Sequence, residues 1–239
     1  MIENDIMTNS IIYDRLSTGY GGRFYGVYPA IVVDINDPDG IGRIKVRLPW
    51  SPDNGKENYE AWARIAMPLA GQNRGTWFIP DVNDEVLIAF ESGNVRHPYV
   101  IGSLWNGIDT PHESMDGAGE NNIKSIKSRK NIKITFDDSN GQEKLTIETP
   151  GGRKVILADG ENKIELSDMT GNSIKMESSG ITIRTSAKMT INANMLEITS
   201  SMITVTSPMS KFSGIVQPDT VISNSIVSAS YTPGAGNIW

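Results

Sequence analysis

Between Asn131 and Val205 the chain keeps repeating one short phrase: an apolar residue, a polar one and a second apolar one, followed by a turn. The phrases carry Ile132, Ile134 and Phe136; Leu145 and Ile147; Val155 and Leu157; Ile164 and Leu166; Ile174 and Met176; Ile181 and Ile183; Met189 and Ile191; Leu196 and Ile198; and Ile203 and Val205. Alternation at period two puts the apolar side chains of each phrase on one face of a strand. Turn residues separate the phrases, among them Asp138 to Gly141, Thr149 to Gly152, Asp159-Gly160, Thr170 to Asn172 and Ser178 to Gly180. The spacing falls from about ten residues to about seven or eight along the chain, which predicts a tapering stack of strands.

A lone chain built this way buries one thin apolar face and leaves long sheet edges unpaired, a costly arrangement. Three chains wound round a common axis would merge those faces into one core and pair every edge. The pattern therefore predicts an intertwined, homotrimeric β-helix needle over residues 123–211, on the order of 45 Å long at about 4.8 Å per strand. The alternative is a plain antiparallel meander or a one-chain solenoid, although solenoid repeats usually run to about 20 residues or more.

Residues 25–107 have a different texture. Strands are predicted at Tyr25–Asp34, Gly42–Leu48, Glu60–Ile65, Thr76–Ile79, Glu85–Phe90 and Pro98–Trp105, rich in β-branched residues and linked by Gly, Pro, Asn and Asp. Strands of this number and length close most economically into a small Greek-key barrel of the oligonucleotide/oligosaccharide-binding (OB) type. The fold expected is all-β: an N-terminal segment over 1–24, the barrel over 25–107, a linker over 108–122, the needle over 123–211 and an apex segment over 212–239.

Composition narrows the chemistry. The 239 residues include no cysteine, which excludes disulfides and thiolate metal sites. A net charge of -6 gives no reason to expect nucleic acid as a partner. Lys124, Lys127, Arg129, Lys130 and Lys133 form a local basic cluster that reads as a solvated face or a contact with an acidic neighbour. The N-terminus carries no secretory pattern and the run Val86–Phe90 is too short to span a bilayer, so synthesis in the cytoplasm is expected.

No cofactor, metal or catalytic site is predicted. Asp34, Asp37, Asp39 and Gly40 read as a hairpin turn, because Pro38 occupies a position where a calcium loop needs an oxygen ligand. His97 and His112 fit no ligand pattern and assemble no nucleophile set. Tyr28, Trp50, Trp62, Trp77, Phe78, Tyr99 and Trp105 offer stacking surfaces, but the basic track that single-stranded nucleic acid needs is missing, so core and inter-subunit packing is expected for most of them.

The stretch Phe24 to Asp34, the run Asp37-Pro-Asp-Gly-Ile-Gly-Arg-Ile-Lys-Val-Arg-Leu-Pro-Trp50, Trp62 to Ala66, Gly75 to Pro80, Asp84 to Phe90 and His97 to Asn106 resemble the OB domain of contractile-tail spikes. That family comprises phage baseplate assembly protein V and the valine-glycine repeat protein G (VgrG) spikes of type VI secretion. The resemblance implies a structural, non-enzymatic spike: a homotrimer on a baseplate hub protein, assembled into a phage tail or tail-like particle, that punctures a target envelope when the sheath contracts. With about twenty residues ahead of the barrel, the chain resembles a stand-alone spike whose hub is a separate protein. It lacks the His-x-His apex of some relatives, which implies a separate tip of the proline-alanine-alanine-arginine (PAAR) type. The nearly uncharged end, closing on Ile238 and Trp239, is the expected docking surface for that tip. The competing expectation is a carbohydrate- or nucleic-acid-binding OB module on a trimeric stalk.

Overall fold

The computed structural model describes residues 22–51, 59–225, 227 and 228. Residues 1–21 of the expected N-terminal segment, which as a contractile-tail spike's would contact the hub, and the apex pair Ile238 and Trp239 lie outside the described residues.

The first half of the chain closes on itself. Strands β1 (Val27–Asp34), β2 (Arg43–Arg47), β3 (Glu60–Ile65), β6 (Glu85–Phe90) and β7 (Pro98–Ser103) form a barrel in the order β1-β2-β3-β7-β6. All neighbours are antiparallel except β3 and β7, which run parallel. Period-two alternation sends Ala30, Val32, Ile44, Val46, Ala63, Val86, Ile88 and Val100 inward, each at most 2% exposed. Between β3 and β6 the chain makes a two-residue hairpin of β4 (Ala70–Gly71) and β5 (Arg74–Gly75).

The predicted strand Thr76–Ile79 does not form. Its Thr-Trp-Phe-Ile composition favours a strand, yet the barrel closes directly from β3 to β7 and leaves this segment no edge to pair with. At the end of the barrel where the chain enters, Phe24, Tyr28, Trp50 and Phe90 pack with ring centroids 4.8–6.4 Å apart, and Trp50 Nε1 donates to the Pro29 carbonyl at 2.8 Å.

Beyond the barrel lies a seven-stranded sheet in sequential order: β8 (Ile123–Lys127), β9 (Lys133–Asp137), β10 (Lys144–Glu148), β11 (Lys154–Ala158), β12 (Lys163–Ser167), β13 (Ser173–Glu177) and β14 (Gly180–Arg184). Every pair is antiparallel, so within one chain this part is a meander, the arrangement set beside the intertwined helix at the outset. Each reversal contains one residue at positive φ: Asn131, Gly141, Gly152, Asn162, Gly171 and Gly180 in turn. Tight hairpins need that conformation, and Gly and Asn supply it at least cost.

Residues 187–239 make up a second unit, described here by itself. Among its described residues no strand pairs with another.

Candidate functional site: the uncovered needle face

Register fixes what the meander presents. Ile126, Ile134, Ile147, Val155, Leu166, Ile174 and Ile183 stand directly opposite one another from β8 to β14, one continuous ladder. Phe136, Leu145, Leu157, Ile164, Met176 and Ile181 make a second ladder beside it, from β9 to β14. Adjacent strands thus place like on like across one whole face. Among the described residues nothing covers it: Ile164 is 48% exposed, Leu166 50% and Ile183 55%. Ile132, counted among the inward residues by its spacing, sits in the β8–β9 connection, where its amide donates to Ser128 Oγ at 3.0 Å and its carbonyl accepts from the Ser128 amide at 2.8 Å.

The opposite face, Ile156 and Ala158 apart, is polar and tied by charge. Lys144 meets Asp137 at 3.6 Å, Lys154 meets Glu148 at 3.5 Å, and Lys163 lies between Glu161 at 2.5 Å and Glu165 at 3.5 Å. Carboxylates also lock the turns. Asp168 accepts from the Asn172 and Thr170 side chains and from both their amides, and these bonds hold its pKa down to about 2. Asp137 is lowered likewise, first by the Ser139 hydroxyl.

From Ala187 onward the pattern becomes stricter than alternation alone reveals. The chain bends at 187, 194, 201 and 208, a seven-residue step. Met189, Leu196 and Ile203 recur at one position of this step, and Ile191, Ile198, Val205 and Phe212 at another. Ser200 and Ser207 brace two of the corners, each hydroxyl donating at 2.7 Å to the carbonyl two residues on. After Phe212 the bends fall at 214, 219 and 224, a five-residue step. The six apolar residues expected in the needle core here, Met189, Ile191, Leu196, Ile198, Ile203 and Val205, are between 53% and 71% exposed in the single chain. Phe212 and Ile126 belong to the same pattern and were missed. The seven-residue recurrence points to the first, whereas Ile126 is hidden because Ile123, three residues earlier, breaks the alternation.

The remaining candidates are brought together differently. Asp37 is the hub of the β1–β2 loop: its carboxylate accepts from the amides of Asp39, Ile41 and Arg43 and meets the Arg43 guanidinium at 2.7 Å. The Arg43 side chain, with those amides, holds its pKa far below the usual carboxylate range, so the acids here build a turn. His112 Nε2 lies 2.8 Å from Ser125 Oγ, which donates to Glu113, itself paired to Lys133 at 2.5 Å. In a nucleophilic triad the carboxylate orients the histidine; here it holds the serine and a lysine, and the cluster pins the linker to β8 and β9. Among the described residues, no group of three or more His, Asp or Glu is placed to hold a metal, and no helix is long and apolar enough to cross a membrane.

Within the basic cluster, Arg129 reaches the barrel at Asp81, 2.9 Å away, and Lys124 pairs with Asp138 at 2.9 Å. On the outer barrel wall Trp62 lies under Arg43 at 5.7 Å and Lys45 at 5.4 Å, while Arg64 stacks over Tyr99 at 5.7 Å. Arg43 is already matched by Asp37 and Asp39, and Lys45 by Glu60 at 3.8 Å. Two of the cations on this wall are thus already paired with carboxylates, which weakens its attraction for a phosphate backbone.

A closed OB-type barrel continued by a β-rod whose apolar face one chain leaves open defines a barrel-and-needle spike class. Residues 28–105 match the type VI secretion system/phage-baseplate injector OB domain, and residues 144–211 match the phage baseplate V C-terminal trimerisation domain. The chain belongs to this contractile-tail spike family. It is 32% identical over 136 residues to the type VI secretion system spike protein VgrG1a of Pseudomonas aeruginosa, covering 54% of this chain and 21% of the relative. It is 26% identical over 120 residues to the spike protein VgrG3 of Vibrio cholerae, covering 50% of this chain and 11% of that protein. The actin cross-linking toxin VgrG1 of Vibrio cholerae is 25% identical over 113 residues, 46% of this chain and 10% of the toxin. The chain thus spans between 10% and 21% of the length of these relatives.

Proposed function

We propose that the chain is the central spike of a contractile tail or injection system, a homotrimer whose work is mechanical. Three copies join their open faces around one axis, so that the two ladders, Ile132 and the seven-residue repeats through Val205 become a shared needle core. The segment 1–24 seats the barrels on the baseplate hub, residues 108–122 link barrel to needle, and the end over 212–239, with Ile238 and Trp239, docks a PAAR-type tip. The protein is made in the cytoplasm, joins the particle there, touches the target envelope only on sheath contraction, and catalyses no reaction.

The observation that carries the reading is the continuous apolar face from β8 to β14, left half-exposed in one chain and followed in sequence by apolar residues that recur at a seven-residue step. Burial is worth about 25 cal/mol per Å² of apolar surface, so two ladders across seven strands supply a large driving force for association. A core shared between chains also resists bending, because no chain can leave it alone. Sedimentation equilibrium of the full-length protein tests this. A mass about three times 26.1 kDa is expected; a monomer at micromolar concentration would remove the shared core and with it the proposal.

A further inference from the structure

We propose that the barrel rim around Trp77 is a barrel-to-barrel contact, covered in the assembled spike by the barrel of a second copy of this chain; the inference rests on the trimeric reading above. Strand directions locate the rim. β3 and β7 run parallel and are antiparallel to their other neighbours, so the β1–β2 loop, the 66–84 excursion and the exit of β7 share one end. That is the end from which the chain leaves for the needle, and the Arg129–Asp81 pair ties the β8–β9 turn to it.

At this end Trp77 is 77% exposed, beside Ile41 at 67% and Leu69 at 54%. It stands between two hollows, of about 420 Å³ and 230 Å³, lined by Ile41, Leu69 and Ile79 on one side and by Ile35 and Arg43 on the other. The rim is built, not frayed. The Asp37 carboxylate clamps one loop through three amides, and Thr76 N donates to the Leu69 carbonyl at 2.9 Å across the base of the other. Thr76 Oγ1, lining the larger hollow, is buried without a hydrogen-bond partner. A preformed aromatic anchor, an apolar surround, an unsatisfied hydroxyl and a charged rim at Arg43 are the parts of an interface core.

A second copy is the occupant the geometry favours. The open needle face begins at β8, next to this end, and joining three such faces brings three of these rims to the same axis. Arg43 and Arg74 on this rim are balanced in number by Asp37 and Asp39, so no net charge selects a strongly acidic or basic foreign surface.

The test is photo-cross-linking of the purified full-length protein carrying a benzophenone amino acid at position 77, beside a control carrying it at position 166. Expected are dimer and trimer bands from both, with position 77 mapping by mass spectrometry to residues 22–107 of another copy. Bands from position 166 with none from position 77, or with cross-links from 77 confined to its own chain or to a needle, would overturn the proposal and leave the trimer standing. No bands from either position would sink the trimeric reading, and this contact with it.

Discussion

Leu166→Ala separates a covered needle face from an open one. In the single chain Leu166 is 50% exposed, flanked across the sheet by Val155 and Ile174. Were the face to stay open, truncation would forfeit about half of a leucine's burial, roughly 1 kcal/mol per chain. Inside a shared core the same change leaves a cavity and costs about 2–5 kcal/mol per chain, or about 6–15 kcal/mol per trimer when the copies unfold together. Thr182→Ala, on the polar face opposite Lys175, is the matched control and should be nearly silent. Thermal unfolding by circular dichroism at two protein concentrations, with sedimentation at the lower one, reads the difference. A Leu166→Ala melting point within a degree or two of the Thr182→Ala value would refute the shared core.

Three further outcomes follow from packing and charge. Gly160→Ala puts a methyl group against the Gly141 carbonyl and 3.0 Å from Gln142 Cα, both backbone; denaturant unfolding should show a loss of about 1–3 kcal/mol. Asp168 is held at about pKa 2 against an ordinary 3.8, so its stabilisation is complete above about pH 4 and is lost as pH falls through 2. Acid titration of Asp168→Ala should therefore lack that part of the wild-type loss between pH 4 and 2. Phe90→Ala, emptying a side chain 8% exposed within the aromatic cluster, should cost about 3–5 kcal/mol in the same denaturant assay.

What the sequence discloses depends on whether a residue's partner lies nearby in the chain. The phrases from Ile134 to Ile183 are legible because antiparallel neighbours impose the same period-two rule on each. β8 escapes it, since Ile123 and Ile126 fall on opposite faces and only Ile126 joins the ladder. Thr76–Ile79 reads as a strand by propensity, but propensity says nothing of whether an edge is free, and the parallel closure of β3 on β7 uses the edge up. The exposed rim at Trp77 was equally hidden, because an aromatic residue in a Thr-Trp-Phe-Ile run reads alike in a core and on a surface.

The change of rule at Gly180 separates two kinds of turn in one chain. Every reversal from β8 to β14 contains a residue at positive φ, and among the described residues none follows between Gly180 and Gly214. The bends at 194, 201 and 208 therefore turn corners without the backbone conformation that folds a strand back beside its predecessor. A chain that turns without reversing does not lay a strand beside the one just before it, and among the described residues no pairing with an earlier coil forms, which fits the proposal that other copies satisfy the edges of this stretch. Positional sensitivity should follow the same division. Gly171→Val, at φ 88°, forces a β-branched side chain into a left-handed turn and should lower stability by more than about 1 kcal/mol. Ser201→Val, at a corner without positive φ, should shift the melting point by a degree or less. If the two variants melt together, the distinction between reversing turns and winding corners is wrong, and with it the reason given for the end of strand pairing after β14.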